Sequence, residues 1–222
     1  MSFKVGDKDS ATHILRTDLL RQGVPLSDVT QRICAALGVR SQVLPMSDDR
    51  VETRIVTTGG ELSFQEYFVR EHWAPEVKRV FFAGIDESKP APRVLQAIGN
   101  AAGIVICPSN PVTSIGPILA VPGIRQALRE ARGKIVGVSP IIARSAVSGP
   151  AHTLMTVNDL EPSVSGVAKG YADLLDVLMI AREDQYFQND IQKLGVEPFS
   201  TNIRMNSLAD KRRLARQVLA VL

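Results

Sequence analysis

The stretch GIVICPSNPVTSIGPILAVPGI, residues 103–124, decides the fold class. It begins as a continuous apolar run and continues as a loop built from proline, small hydroxyl residues and an amide. A short apolar run of this kind is typical of a strand that is buried on both faces of a parallel sheet. The segment KIVGVSPII, residues 134–142, repeats the same order of apolar strand and small polar loop. We therefore predict two neighbouring strands whose loops lie side by side.

From residue 78 onward, strand patterns alternate with helix patterns. This alternation predicts an α/β fold with a mostly parallel, Rossmann-like sheet in three layers. Residues 1–222 are predicted to form a single domain. The predicted strands are residues 80–82, 103–107, 134–138, 177–180 and 196–200. The predicted helices are residues 90–100, 124–132, 166–175, 184–194 and 207–222.

Residues 11–70 are predicted to form a helical and hairpin cap near the N-terminus. Apolar residues at helical spacing indicate two helices, and alternation over residues 51–57 indicates a strand. The glycine pair Gly59-Gly60 predicts a turn that leads into a returning strand. The cap is predicted to contain helices at residues 11–22 and 26–37, and strands at residues 39–44, 51–57 and 61–69.

Composition excludes several classes of protein. The 222 residues are 45% apolar and carry a net charge of only +3, with basic residues scattered along the chain. A nucleic-acid-binding protein would need a longer basic stripe, so no nucleic-acid partner is predicted. No signal peptide or membrane helix is predicted, and the cytoplasm is the expected location. Cys34 and Cys107 lie in apolar contexts and are expected to be buried free thiols.

The loop after residue 107 is the first candidate site. Ser109, Asn110, Thr113 and Ser114 offer hydroxyls and an amide where the predicted strand ends. Ligands of open α/β sheets bind beyond the carboxyl ends of the strands, and backbone N–H groups there can hold an anion. The pattern is therefore consistent with a phosphate or nucleotide site. Tight turns that cap their own backbone would use the same residue types, and this alternative stays open.

Two further segments carry chemistry. In GDKDSATH, residues 6–13, a lysine lies between two aspartates at the start of a helix, which suits either helix capping or a polar ligand. In PMSDD, residues 45–49, paired carboxylates could hold Mg²⁺ or could be solvated turn residues. FQEYFV, residues 64–69, is predicted to be a strand with an apolar face. No Walker A loop, nucleophile elbow, HExxH or GxGxxG motif occurs.

Taken together and in order, five segments resemble the 2-phospho-L-lactate transferase (CofD) family. They are GDKDSATHILRT, LPMSDDRVET, FQEYFV, KPAPRVLQAI and PSNPVTSIGPILAVPGIR. The resemblance implies an enzyme of deazaflavin coenzyme F-420 biosynthesis. Such an enzyme transfers a phospholactyl or phosphoenolpyruvyl moiety from a guanylated donor to the ribityl hydroxyl of a deazaflavin alcohol, and GMP leaves. The resemblance also implies Mg²⁺ as cofactor and a homodimer.

The resemblance implies roles for residues at the matching positions. Those implied to bind the nucleotide and its phosphates are Ser109, Asn110, Pro111, Thr113 and Ser114. Those implied to line the deazaflavin side are Asp7, Lys8, Asp9 and His13, with Lys8 as the main contact. Asp48 and Asp49 are the predicted metal ligands.

The family's glycine-rich GGTGG-like loop and its GDD segment do not occur among the 222 residues. The chain therefore resembles the C-terminal two-thirds of the enzyme. It is expected to expose a sheet edge, to associate and to be poorly active alone. The alternatives are an inactive truncated transferase, or a non-catalytic nucleotide-sugar-binding regulator of the gluconeogenesis-factor family, which shares the fold and a similar loop.

Overall fold

The computed structural model describes residues 6–143, 145–146 and 150–222 and has mixed α/β architecture. The helices are α1 (Asp7–Arg21), α2 (Leu26–Ala36), α3 (Val94–Asn100), α4 (Gly116–Ala120), α5 (Ile124–Arg129), α6 (Ala151–Val157), α7 (Val164–Gly170), α8 (Gln188–Lys193) and α9 (Leu208–Val221). The strands are β1 (Glu52–Thr57), β2 (Gly60–Ser63), β3 (Val77–Ala83), β4 (Gly103–Ile106), β5 (Lys134–Val138), β6 (Ile141–Ile142), β7 (Ser145–Ala146), β8 (Val177–Ala181) and β9 (Glu197–Thr201). Shorter helical turns cover Glu66–Arg70, Pro111–Ile115 and Arg182–Phe187.

The main sheet has four parallel strands in the order β4-β5-β8-β9. The inner strand β8, with the sequence VLMIA, is buried over its whole length. Continuous apolar sequence is what a strand covered on both faces requires. The predicted parallel α/β sheet is confirmed, and β4 and β5 are the predicted neighbours.

Alternation along β8 separates two apolar layers, because successive side chains point to opposite faces of a sheet. Leu178 and Ile180 pack into the larger cluster, with α5, α6 and α7. Val177 and Met179 pack into the smaller cluster, where α9 covers the sheet. The sheet therefore lies between two helical layers, as predicted.

A second, antiparallel sheet has the order β2-β1-β3. The predicted hairpin is confirmed, since Thr57 pairs with Gly60 across the turn. Residues 80–82 are a strand, but β3 pairs with β1 rather than joining the parallel series, with Val80 opposite Ile55. Ile55 of the hairpin is fully buried in the larger apolar cluster.

Of the predicted strands of the cap, the one at residues 39–44 is wrong, and the one at residues 61–69 is confirmed only as far as Ser63. Residues 39–44 form no strand, and Val39 and Val43 are exposed. Residues 64–70 are helical, because Ser63 and Glu66 form a capping box that starts a helix. The Glu66 N–H donates to Ser63 Oγ (3.2 Å), and the Ser63 N–H donates to Glu66 Oε2 (2.9 Å). The hydrogen bonds that Glu66 Oε2 accepts from the Ser63 N–H and from Ser63 Oγ (2.9 Å) lower the pKa of Glu66.

Boundaries also differ from the predictions. Helix α1 begins at Asp7, earlier than residue 11, and α3 begins at Val94, after the proline-rich turn that starts at residue 90. The loop after β5 contains the short antiparallel pair β6–β7, while residues 144 and 147–149 lie outside the described residues. A capping box of Ser207 and Asp210 starts α9, whose range agrees with the predicted helix.

The cysteine prediction holds only in part. Both thiols are free, but Cys34 is half-buried and Cys107 is exposed. Cys107 directly follows β4, which is an outer strand of its sheet, so less protein covers it than the apolar sequence suggests.

Within the described part of the chain, no helix is both long and apolar enough to cross a membrane.

An ion cluster ties α5 to the loop after α7. Asp173 accepts hydrogen bonds from Arg125 (Nε, 2.9 Å) and Arg129 (Nε, 2.7 Å). These contacts, Arg125 first, lower the pKa of Asp173 from 3.8 to about 2. A carboxylate with a lowered folded-state pKa stabilises the fold above its unfolded pKa, and the stabilisation is lost as the pH falls through the folded one.

Asp173→Asn is therefore expected to lower the free energy of unfolding at pH 7. Solvent screens this side chain, which is 31% exposed, so we expect a loss of about 1 kcal/mol. Urea unfolding from pH 7 to pH 2 tests this: the difference from wild type should shrink below about pH 4. Asp190→Asn, which breaks an exposed pair with Lys193, is the matched control. A pH-independent difference would contradict the account.

Candidate functional site

A cleft of about 240 Å³ lies where β4 and β5 end. The two strands are parallel neighbours, so their following loops meet at the same end of the sheet. This arrangement brings together the two polar loops that the sequence predicts to be adjacent. The residues that line the cleft are Phe64, Phe68, Pro108, Ser109, Asn110, Thr113, Ser114, Pro140, Pro150 and Ala151.

Asn110 gives the first loop its shape. Its Oδ1 accepts hydrogen bonds from the N–H groups of Val112 (2.9 Å) and Thr113 (3.1 Å) and so caps the helical turn Pro111–Ile115. Pro111 starts that turn, where the missing N–H of proline costs nothing, and it is buried outside the cleft lining. Asn110 and Pro111, two of the residues predicted to bind the nucleotide, therefore shape the loop. This agrees with the alternative that such residues cap their own backbone.

The hydroxyl groups of the loop, unlike Asn110 and Pro111, do not shape it. Ser109, Thr113 and Ser114 are half-buried and line the cleft. Among the described residues, the hydrogen bonds that hold this loop use Asn110 and backbone atoms rather than these three hydroxyls. The loop is thus held by one set of groups and presents another set to the cleft. Hydroxyls of this kind can donate to phosphate oxygens.

An aromatic wall faces the polar loop, and the sequence reasoning missed it. Phe64 and Phe68 line the cleft, with ring centroids 5.5 Å apart. Trp73 continues the cluster, 5.0 Å from Phe68. The segment was predicted to be a strand, which would have placed these phenylalanines differently. The spacing of four residues and the Ser63–Glu66 capping signature both indicate a helix and could have located the wall.

The second loop is anchored by a buried carboxylate. The N–H of Ala143 donates to both oxygens of Asp184 at 3.1 Å. Burial raises the pKa of Asp184, whose side chain is fully enclosed. Ala143 has a left-handed backbone (φ 51°), so this contact stabilises a turn that L-residues rarely adopt. The anchor holds the loop that carries Pro140 to the cleft.

Asp184→Ala is expected to destabilise the fold by about 1–3 kcal/mol, because it leaves the Ala143 N–H without its acceptor. Asp184→Asn keeps an acceptor oxygen and removes a buried charge, so it should be the milder change. Chemical unfolding of the three proteins at pH 7 measures both effects. Equal losses for the two variants would show that the anchor does not act through this acceptor.

The N-terminal group of predicted residues does not line this cleft. Asp7, Lys8, Asp9 and His13 are exposed on the first turns of α1. Asp9 Oδ2 accepts from the Gly6 N–H (3.3 Å), which agrees with the helix-capping alternative. His13 lies along an open groove on the same helix.

The predicted metal ligands are engaged in structural hydrogen bonds. Asp48 accepts from the N–H (2.6 Å) and Oγ (2.9 Å) of Ser27 at the start of α2. Asp49 Oδ2 accepts from the Lys89 N–H (2.8 Å). Within the described residues, no group of three or more histidine, cysteine or acidic side chains could hold a metal ion. Asp48 and Asp49 therefore hold the start of α2 and the turn at residue 89 in this arrangement.

The fold and the cleft define an α/β protein with polar loops at the carboxyl ends of parallel strands. The family described as 2-phospho-L-lactate transferase CofD matches residues 1–219, and the chain belongs to this family. A 2-phospho-L-lactate transferase of Methanococcoides burtonii is 42% identical over 220 residues, which are 99% of this chain and 71% of that protein. A phosphoenolpyruvate transferase of Streptomyces griseus is 42% identical over 222 residues, covering 98% of this chain and 70% of that protein.

Comparison with solved structures supports the fold of this chain and nothing beyond the fold. A protein of the UPF0052 family from Bacillus halodurans superposes with a TM-score of 0.67 at 19% identity. The superposition covers 93% of this chain and 70% of that one. The α/β architecture is therefore shared with a known fold.

Proposed function

We propose that this chain takes part in the transfer of a phospholactyl or phosphoenolpyruvyl moiety to a deazaflavin alcohol in coenzyme F-420 biosynthesis. The donor is a guanylated pyrophosphate. The terminal ribityl oxygen forms a bond to the phosphorus that carries the acid, the bond from that phosphorus to the bridging oxygen breaks, and GMP leaves with that oxygen. The hydroxyl proton is lost to solvent or base. Membership of the transferase family and the names of the two relatives support this proposal.

The single observation that carries the proposal is the cleft with its uncommitted hydroxyls. Ser109, Thr113 and Ser114 would donate to the phosphate oxygens of the donor, and Asn110 would keep the loop in shape. Phosphoryl transfer depends mainly on positioned charge and hydrogen-bond donors, which such a loop supplies. Phe64 and Phe68 offer a surface on which a planar ring of donor or acceptor would stack.

Several finer parts belong to the same proposal. Asp7, Lys8, Asp9 and His13 would contact the deazaflavin alcohol, with Lys8 as the main contact. Mg²⁺ would be required, with Asp48 and Asp49 as the proposed ligands, and no step is assigned to the metal. A homodimer in the cytoplasm is the proposed state of the protein.

A comparison of nucleotides tests the proposal without requiring turnover. Isothermal titration of the 222-residue chain with GDP and with UDP-glucose should give a dissociation constant at least about tenfold lower for GDP, a difference of 1.4 kcal/mol. In a separate turnover assay with guanylated donor and deazaflavin alcohol, mass spectrometry should detect GMP at a low rate, since the chain is expected to be poorly active alone. Tight binding of UDP-glucose without GDP binding would instead favour the nucleotide-sugar-binding regulator and overturn the proposal.

A further inference from the structure

The turn that follows the helical segment Glu66–Arg70 has an unusual backbone. His72 and Trp73 are consecutive and both left-handed, with φ of 50° and 49°. Left-handed backbone is rare for bulky residues, because their Cβ then lies too close to a carbonyl oxygen. Residues of this kind persist where the surrounding structure holds them, and they cluster at ligand-binding and catalytic sites. The turn is therefore a candidate for a functional role.

Tyr67 holds this turn in place. The N–H of Trp73 donates to the carbonyl oxygen of Tyr67 (2.9 Å), and the Tyr67 hydroxyl donates to the carbonyl oxygen of Trp73 (3.4 Å). Tyr67 itself is completely buried in the larger apolar cluster. These contacts fix the backbone of Trp73 to the core, yet Trp73 stays 47% exposed. Partial burial recovers only part of the hydrophobic free energy that full burial of this side chain would give.

The Trp73 ring packs against the aromatic wall of the cleft from outside. Its centroid lies 5.0 Å from that of Phe68, and the two ring planes are tilted by 34°. Phe68 also contacts Phe64 (5.5 Å), and both phenylalanines line the cleft, whereas Trp73 does not. Among the described residues no ring contact joins Trp73 to Phe64, so Phe68 lies between them. Trp73 is thus the outer end of a stack of three rings.

We propose that Trp73 is a positioning residue, which holds Phe68 and through it Phe64 in the orientation that receives a planar heteroaromatic ring in the cleft. Aromatic faces bind such rings by stacking, and a binding surface is precise when packing locks the side chains that form it. The chemistry fits the guanine of the donor and the deazaflavin of the acceptor alike. The inference rests on the proposed function for the choice of these two rings.

A role in stability alone would not require the ring at this strained position. Glycine adopts a left-handed backbone without strain, so Trp73→Gly removes the ring and the strain of residue 73 together, whereas Trp73→Leu removes only the ring. Trp73→Gly should therefore unfold at a higher urea concentration than Trp73→Leu. If Trp73 positions the wall, the glycine variant should nevertheless bind the ring no better than the leucine variant.

Titrations with ring-bearing and ring-free ligands test the proposal. Trp73→Leu should bind GDP or deazaflavin alcohol about tenfold more weakly than the wild-type chain, as expected for the loss of one aromatic stack. The ligand that shows the loss identifies the ring. Inorganic pyrophosphate has no ring, so its affinity should stay within about twofold of wild type. Trp73→Phe keeps an aromatic contact and should restore most of the affinity for the ring.

Tyr186→Leu is the matched control. Tyr186 is also an exposed aromatic residue that packs on a phenylalanine, with its ring centroid 4.4 Å from that of Phe187, but neither residue lines the cleft. Its loss should leave the affinities for all three ligands unchanged. Circular dichroism confirms that each variant folds.

Fluorescence gives a second readout that needs no substitution of Trp73. The sequence contains one tryptophan, so tryptophan emission reports on this stack directly. The ring-bearing ligand should change the emission of the wild-type chain, and pyrophosphate should not. Phe68→Leu should remove the response to the ring.

The outcomes separate this inference from the proposed function. Wild-type affinity for both ring-bearing ligands in folded Trp73→Leu would overturn the inference, as would equal losses of ring-bearing ligand and pyrophosphate. If the wild-type chain binds UDP-glucose but neither GDP nor deazaflavin alcohol, the proposed function is wrong. The same variants titrated with UDP-glucose then decide the inference, because uracil is also a planar ring. A chain that binds none of these ring-bearing ligands would overturn both.

Discussion

The double variant Thr113→Val/Ser114→Ala is expected to bind GDP at least about 100-fold more weakly than the wild-type chain. Each hydroxyl would donate to a charged phosphate oxygen, and a hydrogen bond to a charged group contributes about 1.5–3 kcal/mol. Two such losses sum to about 3 kcal/mol or more, and each 1.4 kcal/mol is a factor of ten in the dissociation constant. Isothermal titration measures the change directly.

Stability should hardly change in the same variant. The hydroxyls of Thr113 and Ser114 take no part in the hydrogen bonds that hold the loop in the described structure, and valine keeps the shape of threonine. We expect the free energy of unfolding to stay within about 0.5 kcal/mol of wild type. Ser41→Ala/Thr58→Val, at two exposed positions outside the cleft lining, is the control and should bind GDP normally. If the Thr113/Ser114 variant bound GDP with wild-type affinity, the proposal that this loop binds phosphate would be wrong.

Gly166→Ala is expected to prevent stable folding. A Cβ at this position would lie 1.8 Å from the carbonyl oxygen of Glu161 and 2.8 Å from its carbonyl carbon, both of them backbone atoms. The position is fixed from both sides, because the Gly166 N–H donates to Ser163 Oγ (3.1 Å) at the start of α7. Relief would require the backbone at residue 161 or the first turn of α7 to move, at an expected loss of about 4 kcal/mol or more. That is a large share of the 5–15 kcal/mol that stabilises a typical domain.

Gly170→Ala in the same helix is the matched control. There a Cβ would meet only side-chain carbons of Leu160, at 3.6 Å and 3.7 Å, which is ordinary van der Waals contact. Thermal unfolding followed by circular dichroism should show a small effect for Gly170→Ala and a strongly lowered or absent transition for Gly166→Ala. Similar transitions for the two variants would contradict the close packing at residue 161.

The parallel sheet and the polar loops were predictable because each strand and the loop after it carry their own sequence pattern. Continuous apolar runs such as β8 define strands that are covered on both faces, and the small polar residues after β4 and β5 follow directly. The cap was harder to predict because its strands depend on partners far along the chain. β3 looked like part of the parallel series, yet it pairs with β1. Residues 39–44 have strand-forming composition but no partner strand.

The site was only partly predictable for a related reason. Ser109, Thr113 and Ser114 follow a strand directly, so their place at the sheet edge follows from the local pattern. Phe64 and Phe68 reach the cleft only because a capping box turns the chain into a helix after β2. Asp184 lies far from the cleft in sequence and acts on it through Ala143, a contact that no local spacing reveals.

The central claim is that the cleft between the loops after β4 and β5 binds the phosphates of a guanine nucleotide. The crystal structure of the chain with GDP tests it most directly. The account predicts that phosphate oxygens lie within about 3.2 Å of hydroxyls of Ser109, Thr113 or Ser114, with a planar ring near Phe64 and Phe68. GDP bound with its phosphates elsewhere, such as against α1, would contradict it.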